Sequence, residues 1–186
     1  LTADWSEAVE LLKNQLSQIE GGACIDYLIL NHLEPDHTGF LPQFIAKNPD
    51  VEILSTAKGC ALVRNFLKAD VSSPNLKLRE VKTGDTLNLD GVTLTFCEIP
   101  NVHWPETMCT FDAASGTLFS CDAFGGYGKT GDRIFDDEFT AKEHEFYESE
   151  SLRYYATIIS SFSLFVKKAV EKIQSLGWNI KTIAPS

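Results

Sequence analysis

Four side chains that can bind metal ions lie within six positions of the sequence: His32, Glu34, Asp36 and His37. They follow an apolar run over 25–30 whose composition predicts a buried strand. If the chain stays extended past this strand, His32, Glu34 and Asp36 project to one side, because strand side chains alternate with period two. Glu34 precedes a proline, which favours extended geometry there. The spacing H-x-E-x-D-H therefore predicts a loop that gathers ligands for two metal ions, with His37 turning inward from the next element.

Two further candidate ligands, His103 and Asp122, occur in similar positions later in the chain. His103 follows a strand-like run over 94–99, and Asp122 follows another over 117–120. Loops at the ends of neighbouring strands can converge. We therefore expect these two residues to join the first group in one binuclear site.

The length, composition and net charge indicate a globular protein and disfavour some classes of partner. The chain has 186 residues, of which 44% are hydrophobic and 23% charged. This length suits one domain over 1–186 with a sizeable core. The net charge of −10 disfavours a nucleic-acid partner, which requires a basic face, and also an anionic membrane surface. No apolar run approaches the length of a membrane span, and no signal peptide opens the chain.

The cysteines indicate a reducing compartment. They are odd in number and scattered without a C-x-x-C pair, at Cys24, Cys60, Cys97, Cys109 and Cys121. A disulfide framework or a structural zinc site is not expected from this pattern, so we predict reduced thiols and a cytoplasmic protein. Those in strand-like runs are expected to serve in packing.

The order of predicted elements indicates an α+β fold. Helices and strands alternate in the first third, with helices expected over 4–19, 40–48 and 56–68 and strands over 25–31 and 51–54. Strands and hairpins dominate the region 76–120. Asp90-Gly91 is a strong turn signal between strands over 86–89 and 92–96, and a second hairpin is expected around 114–116. A helical region over 141–176, broken near 160–161, precedes a last strand over 180–184. A mixed sheet flanked by helices fits this order.

These motifs together resemble one known family. The run from His32 to His37, then His103-Trp104-Pro105, then 122–125, is similar to the metallo-β-lactamase-like domain of the flavodiiron proteins. The likeness covers essentially the whole chain, including 82–85 and 153–155. It implies an αββα sandwich that is incomplete here, because the family begins with strands upstream of Leu1.

The resemblance also implies roles for the candidate residues. His32, Glu34 and His103 would bind one iron, Asp36 and His37 the other, and Asp122 would bridge them. Hydrolytic relatives of this domain carry H-x-H-x-D-H. Glu34 replaces the middle histidine, which makes the site harder and more anionic and suits iron better than hydrolytic zinc.

Three aromatic side chains receive roles from the same resemblance. Tyr154 or Tyr155 would donate a hydrogen bond near the substrate, and Trp104 would form a wall of the pocket.

By resemblance, the parent protein reduces O2 to water or NO to N2O at two Fe ions. Electrons would come from FMN on a flavodoxin-like domain of a neighbouring subunit in a head-to-tail homodimer, supplied by a rubredoxin or another donor. The chain stops at Ser186, where the family has one more histidine ligand, and its flavodoxin-like domain would follow. We therefore expect a chain cut from a larger protein, with little activity of its own.

Two other interpretations stay open at this stage. A zinc-dependent hydrolase of the same superfamily would use a metal-bound hydroxide, and an inactive fragment would be held together by packing alone. The remaining polar features are expected to be structural. His144 lies on a solvated helix face, residues 135–138 form a solvated acidic loop, and the glycines over 125–131 form a mobile loop that does not match a phosphate-binding pattern.

Overall fold

The structure is a computed structural model that describes residues 10, 14–19, 25–67, 76–128 and 133–185. The chain forms two compact units, residues 1–81 and 82–186. The predicted helix over 4–19 lies mostly outside the described residues, and 14–17 are helical. Across the described ranges, no helix is long and apolar enough to span a membrane. The assignment of a single domain to 1–186 stays a prediction.

The first unit contains a three-stranded parallel sheet in the order β1-β2-β3. Its strands are β1 (Tyr27–Ile29), β2 (Glu52–Ser55) and β3 (Lys77–Glu80). Its helices are α1 (Pro35–Thr38), α2 (Leu41–Lys47) and α3 (Ala57–Leu67). All of the strands and both longer helices agree with the predicted elements to within a few residues.

The central strand of this sheet organises the first unit. Ile53 and Leu54 in β2 are fully buried, as expected for a parallel sheet whose two faces are both covered. Helix α3 connects β2 to β3 and buries one stripe of side chains, including Cys60, Val63 and Leu67. That spacing is the helical period read from the sequence.

The second unit contains a five-stranded sheet in the order β4-β5-β6-β7-β8. Its strands are β4 (Thr86–Leu89), β5 (Val92–Glu98), β6 (Met108–Asp112), β7 (Thr117–Cys121) and β8 (Thr182–Pro185). The first four form an antiparallel meander, and β8 adds in parallel to β7. Both predicted hairpins are confirmed. Asp90 and Gly91 have positive φ of 45° and 104°, the geometry of a two-residue hairpin turn.

The directions of the strands in this sheet determine where the candidate ligands His103 and Asp122 lie. β5 and β7 are both antiparallel to β6, so they run in the same direction on its two sides. Their carboxyl ends therefore emerge at one edge of the sheet, about 10 Å apart. The end of β8 reaches the same edge, because Pro185 pairs with Cys121.

A long irregular helical region precedes β8. Helix α4 (Ala141–Tyr154) continues into a π-helical segment, Tyr155–Ile159, and a 3-10 turn, Ser160–Phe162, before α5 (Ser163–Ser175). The predicted break near 160–161 is thus confirmed. Ala169 and Ile173 of α5 pack into the core of the second unit.

Helix α4 begins with a capping box that involves an ionised side chain. Glu143 Oε2 accepts hydrogen bonds from Thr140 N and Oγ1, each at 2.7 Å, and Glu143 N donates to Thr140 Oγ1 at 3.4 Å. These contacts, with a smaller contribution from Arg133, lower the pKa of Glu143 from about 4.5 to about 2. Thr140 and Glu143 therefore form the reciprocal cap that the sequence pattern T-x-x-E encodes.

This cap predicts a pH dependence at the start of α4. A depressed pKa in the folded state means that the cap stabilises α4 above pH 4.5 and is lost as the pH falls towards 2. We expect the protection of amides in the first turn of α4 against hydrogen exchange, relative to their intrinsic rates, to fall as the pH decreases across that window in the native protein. Glu143→Gln keeps an acceptor that does not titrate, so its exchange should not change over the same window beyond the intrinsic rate. Equal pH profiles in the two proteins would contradict the assignment.

Candidate metal centre

The first ligand group lies in the loop that follows β1. Leu30 N donates to Leu54 O at 2.9 Å, and Ser55 Oγ donates to Leu30 O at 2.8 Å, so the end of β1 is tied to β2. Glu34 is extended, with φ −57° and ψ 142°, as expected before proline. The extended geometry ends there, because the next residue begins α1, where proline is favoured. Asp36 therefore lies on a helical turn and not on the extended segment that the sequence predicted.

Within the first unit, the two histidines and Glu34 face one another. His32 Nε2 lies 3.3 Å from Glu34 Oε2, and the rings of His32 and His37 are 5.3 Å apart between centroids. The side chain of His32 is fully buried. Asp36 Oδ1 lies 3.7 Å from His37 Nε2, but the Asp36 side chain is 67% exposed. Asp36 is thus the most exposed of the six predicted ligands.

A close contact beneath the loop holds these ligands in place. Leu33, which lies between His32 and Glu34, is fully buried. A Cβ at Gly59 of α3 would lie 3.1 Å from Leu33 Cδ1 and only 2.1 Å from Ser55 Oγ. Glycine is therefore required at this position for α3 to approach the ligand loop.

The second ligand group lies at the common edge of β5 and β7. His103 Nε2 and Asp122 Oδ2 are 3.0 Å apart, and their side chains are only 12% and 9% exposed. The His103 loop is closed by Asn101 N donating to Trp104 O at 2.7 Å and Thr107 Oγ1 donating to the same oxygen at 2.9 Å. Two predicted ligands separated by 19 positions thus meet because their strands flank β6.

The turn that carries Asp122 is strained on both sides. Cys121 and Phe124 have φ of 55° and 70°, a left-handed conformation that costs a residue with a Cβ roughly 1–2 kcal/mol. Ser120 Oγ holds the turn by donating to Ala123 O at 2.6 Å. Such strain persists where the surroundings over-determine the backbone, and it is concentrated here around a candidate ligand.

The donor atoms in each group suit a metal ion. Two ligands bound at about 2.1 Å to one ion and about 90° apart lie roughly 3 Å from each other. The His32–Glu34 and His103–Asp122 separations, 3.3 and 3.0 Å, match this spacing. Imidazole nitrogens with carboxylate oxygens form a donor set that first-row transition metals accept. The residues present therefore fit metal ligation in both units.

Comparison with known proteins places the chain in a family. The family model described as "ODP family beta lactamase" matches residues 6–186. This chain belongs to that family.

Two relatives of this chain are named as oxidoreductases. A nitric oxide reductase of Moorella thermoacetica is 37% identical over 177 residues, covering 95% of this chain and 42% of the relative. An anaerobic nitric oxide reductase flavorubredoxin of Salmonella arizonae is 37% identical over 180 residues, covering 96% of this chain and 35% of the relative. The chain thus spans about two fifths of the length of these relatives.

Solved structures of flavodiiron proteins share the fold. A flavo di-iron protein variant of Thermotoga maritima has a TM-score of 0.79 and 32% identity, over 94% of this chain and 41% of that one. Rubredoxin oxygen:oxidoreductase of Desulfovibrio gigas has a TM-score of 0.78 and 30% identity, over 87% and 38%. The predicted resemblance and the α+β, metallo-β-lactamase-like fold of this family member are confirmed.

The predicted tyrosines lie close to one ligand of the second unit. Tyr154, Tyr155 and Asp122 line one cavity of about 280 Å³. The ring of Tyr154 is half-buried and packs edge-on against Tyr127, with centroids 5.0 Å apart. Whether either phenol acts on a substrate stays a prediction.

The other predicted polar features lie where structural roles would put them. His144 is exposed on α4, with its ring 5.5 Å from that of Phe139. The acidic stretch forms an exposed 3-10 turn, Asp136–Glu138. Trp104 is partly buried in the His103 loop. Of the glycine-rich loop, residues 125–128 are described and carry no regular structure, and 129–131 lie outside the described residues.

Sequence reasoning did not single out two buried polar residues near these groups. Glu106, three residues after His103, is only 1% exposed. Ser151 has a buried Oγ without a hydrogen-bond partner among the described residues. A charged residue directly after Trp-Pro was a visible signal for Glu106. Ser151 gave none, because its burial depends on the contact between α4 and the 125–128 loop.

Proposed function

We propose that this chain supplies the metal-binding part of an oxidoreductase that reduces O2 to water or NO to N2O at a diiron site. The observation that carries the proposal is the pairing of histidine with carboxylate in each unit, at 3.3 Å for His32–Glu34 and 3.0 Å for His103–Asp122. Support comes from the named activities of relatives that match nearly the whole chain.

The six predicted ligands would divide between two ions. We assign His32, Glu34 and His103 to one iron, Asp36 and His37 to the other, and Asp122 as the bridge. The near-complete burial of His32 and Asp122 suits ligands of the inner part of a site. Asp36 is exposed, but its Oδ1 lies 3.7 Å from His37 Nε2, so the two side chains could bind the same ion.

The chemistry of the proposed ligands favours iron over zinc. Three carboxylates, Glu34, Asp36 and Asp122, would accompany three histidines. This oxygen-rich and anionic set stabilises the higher charge of ferric iron, whereas hydrolytic zinc sites are richer in imidazole. When bound, the two iron ions would transfer electrons to the diatomic substrate. The zinc hydrolase is not favoured, because the relatives are named as reductases.

The chain's own residues would supply protons and exclude water. Reduction of O2 to water consumes four protons, and reduction of two NO molecules to N2O and water consumes two. Tyr154 and Tyr155 share a cavity wall with Asp122, so a phenolic O–H from either can donate a hydrogen bond towards a substrate there. The mostly apolar walls disfavour water in the same space.

The electron supply would lie outside this chain. We propose FMN on a flavodoxin-like domain of a neighbouring subunit in a head-to-tail homodimer, with a rubredoxin-like protein or another reductase as donor. The names flavorubredoxin and rubredoxin oxygen:oxidoreductase among the relatives support the flavin and the rubredoxin-like donor. The described cysteines form no disulfide, which suits a reducing compartment, so we propose that the protein is cytoplasmic.

Metal analysis combined with two assays tests the proposal. The full-length parent protein, produced in iron-replete cells, should contain iron, and with a chemical reductant it should consume O2 or NO. His103→Ala should lose metal and activity, whereas His144→Ala, which alters an exposed histidine, should keep both. Zinc binding with turnover of a lactam or a phosphodiester would refute the reductase and establish the hydrolase instead.

A further inference from the structure

The second unit contains a cavity of about 280 Å³ with almost entirely apolar walls. One wall comes from the sheet side, with Ile99 and Val102 just after the end of β5. The opposite wall comes from α5, with Val166, Ala169 and Ile173. An apolar cavity of roughly 150 Å³ in another protein stays dry and binds benzene or xenon. A space of this size and character is therefore suited to small neutral apolar molecules.

Asp122 lies in the cavity wall while it also contacts His103 at 3.0 Å. The space thus extends to a side chain of the candidate metal centre. An anionic ligand would be disfavoured there, because Asp122 is the one carboxylate among the described lining residues and none of them is basic.

Several local features keep this space open. Small side chains, Ala123 and Ala169, line it where larger ones would fill it. The π-helical segment Tyr155–Ile159 lies in its wall. Such segments occur mostly as single irregular turns in helices, frequently at functional sites. Here the segment contributes the side chains of both Tyr155 and Ile159 to the lining.

A polar atom without a partner also lies in the lining. Ser151 lies in the cavity wall. Its Oγ is buried and has no hydrogen-bond partner among the described residues. A buried hydroxyl without a partner costs free energy unless a ligand supplies one. A diatomic molecule with a weakly accepting oxygen meets that need without the cost of burying a charge.

We propose that this cavity is an uptake site that holds the diatomic substrate, O2 or NO, next to Asp122. The inference rests on the proposed function for the identity of the ligand. Apolar gases partition from water into apolar space, so the cavity raises their concentration beside the metal ligands. Ser151, Tyr154 and Tyr155 provide the polar part of an otherwise apolar site.

Xenon is the probe, because it is small and apolar and does not react at a metal. In crystals of the iron-loaded protein under xenon pressure, we expect xenon between α5 and the end of β5. Ala169→Leu places a larger side chain in the cavity and should abolish that xenon peak. Val170→Phe, from the same wall, serves if the first variant folds poorly. Ala156→Leu, at an exposed position, is the matched control and should leave xenon binding unchanged.

Kinetics with a chemical reductant provide the second measurement. Ala169→Leu should raise the KM for O2 about fivefold while kcat at saturating O2 and iron content stay unchanged, the pattern for loss of uniform substrate binding. Absence of xenon from the cavity, or an unchanged KM in a variant that excludes xenon, would overturn the proposal. Xenon bound in a protein that reduces neither gas would support the cavity as a gas site and refute the proposed function, so the two failures are distinguishable.

Discussion

Replacing Asp122 with asparagine is expected to remove most of the bound iron from the parent protein and with it the proposed reductase activity. The amide has the shape of the carboxylate but no negative charge, so it would hold the two proposed cations less tightly. Loss of residues that merely support a metal ligand costs about 10–100-fold in affinity, and loss of the bridge should cost at least as much. Iron content per chain, measured after dialysis against a weak chelator, should fall to less than about a tenth of the native value.

The same substitution should leave the fold in place. The side-chain amide oxygen of the Asp122→Asn variant can still accept a hydrogen bond from His103, which in the native protein lies 3.0 Å away, so the local turn keeps its main contact. Asp137→Asn removes the same charge at an exposed position and is the matched control, with native iron content expected. Native iron content in Asp122→Asn would show that this carboxylate is not a ligand, and the assignment of the bridge would fail.

The second large effect is expected from Gly59→Ala, which alters no candidate ligand. The new Cβ would lie 2.1 Å from Ser55 Oγ and 2.9 Å from Ser55 Cβ, so α3 or β2 must shift. Ser55 Oγ also donates to Leu30 O at 2.8 Å, and moving it would leave a buried carbonyl unsatisfied. Overpacking of this kind costs about 1–3 kcal/mol, more than the roughly 1 kcal/mol that alanine gains over glycine in a helix.

The expected result is a lower free energy of unfolding together with weaker metal binding, because Leu33 lies against the same position and connects two ligands. Denaturant unfolding with iron analysis measures both. Ser55→Gly removes the clashing atoms, so the double variant should recover most of the stability that Gly59→Ala loses relative to Ser55→Gly alone. Strictly additive losses in the double variant would show that the clash is not the cause.

The sequence alone predicted most of the elements, because their signals are local. Alternation and helical spacing each depend on residues within a few positions, and the turn at Asp90-Gly91 depends on two. The candidate ligands were equally visible, since four of the six fall in one short run. The break between α4 and α5 was predicted near 160–161, but its π-helical form was not.

The residue types of the candidate site were visible in the sequence, but part of its local geometry was predicted wrongly. The chain was expected to stay extended through Asp36, with Pro35 favouring extension at Glu34, but the structure shows that Pro35 begins a helix, and Asp36 is exposed. Proline favours extended geometry at the preceding residue and helical geometry at its own position. Only the first of these effects entered the sequence prediction.

What the sequence by itself determined is the chemistry: histidines and carboxylates after strands, in an order that resembles flavodiiron proteins, with Glu34 where hydrolytic relatives have histidine. What only the tertiary structure decided is which groups meet. His103 and Asp122 pair because their two strands flank β6, and the cavity beside Asp122 exists because α5 stands over the end of β5. Such contacts join residues far apart in the chain, and their free energy depends on the packing of everything between them.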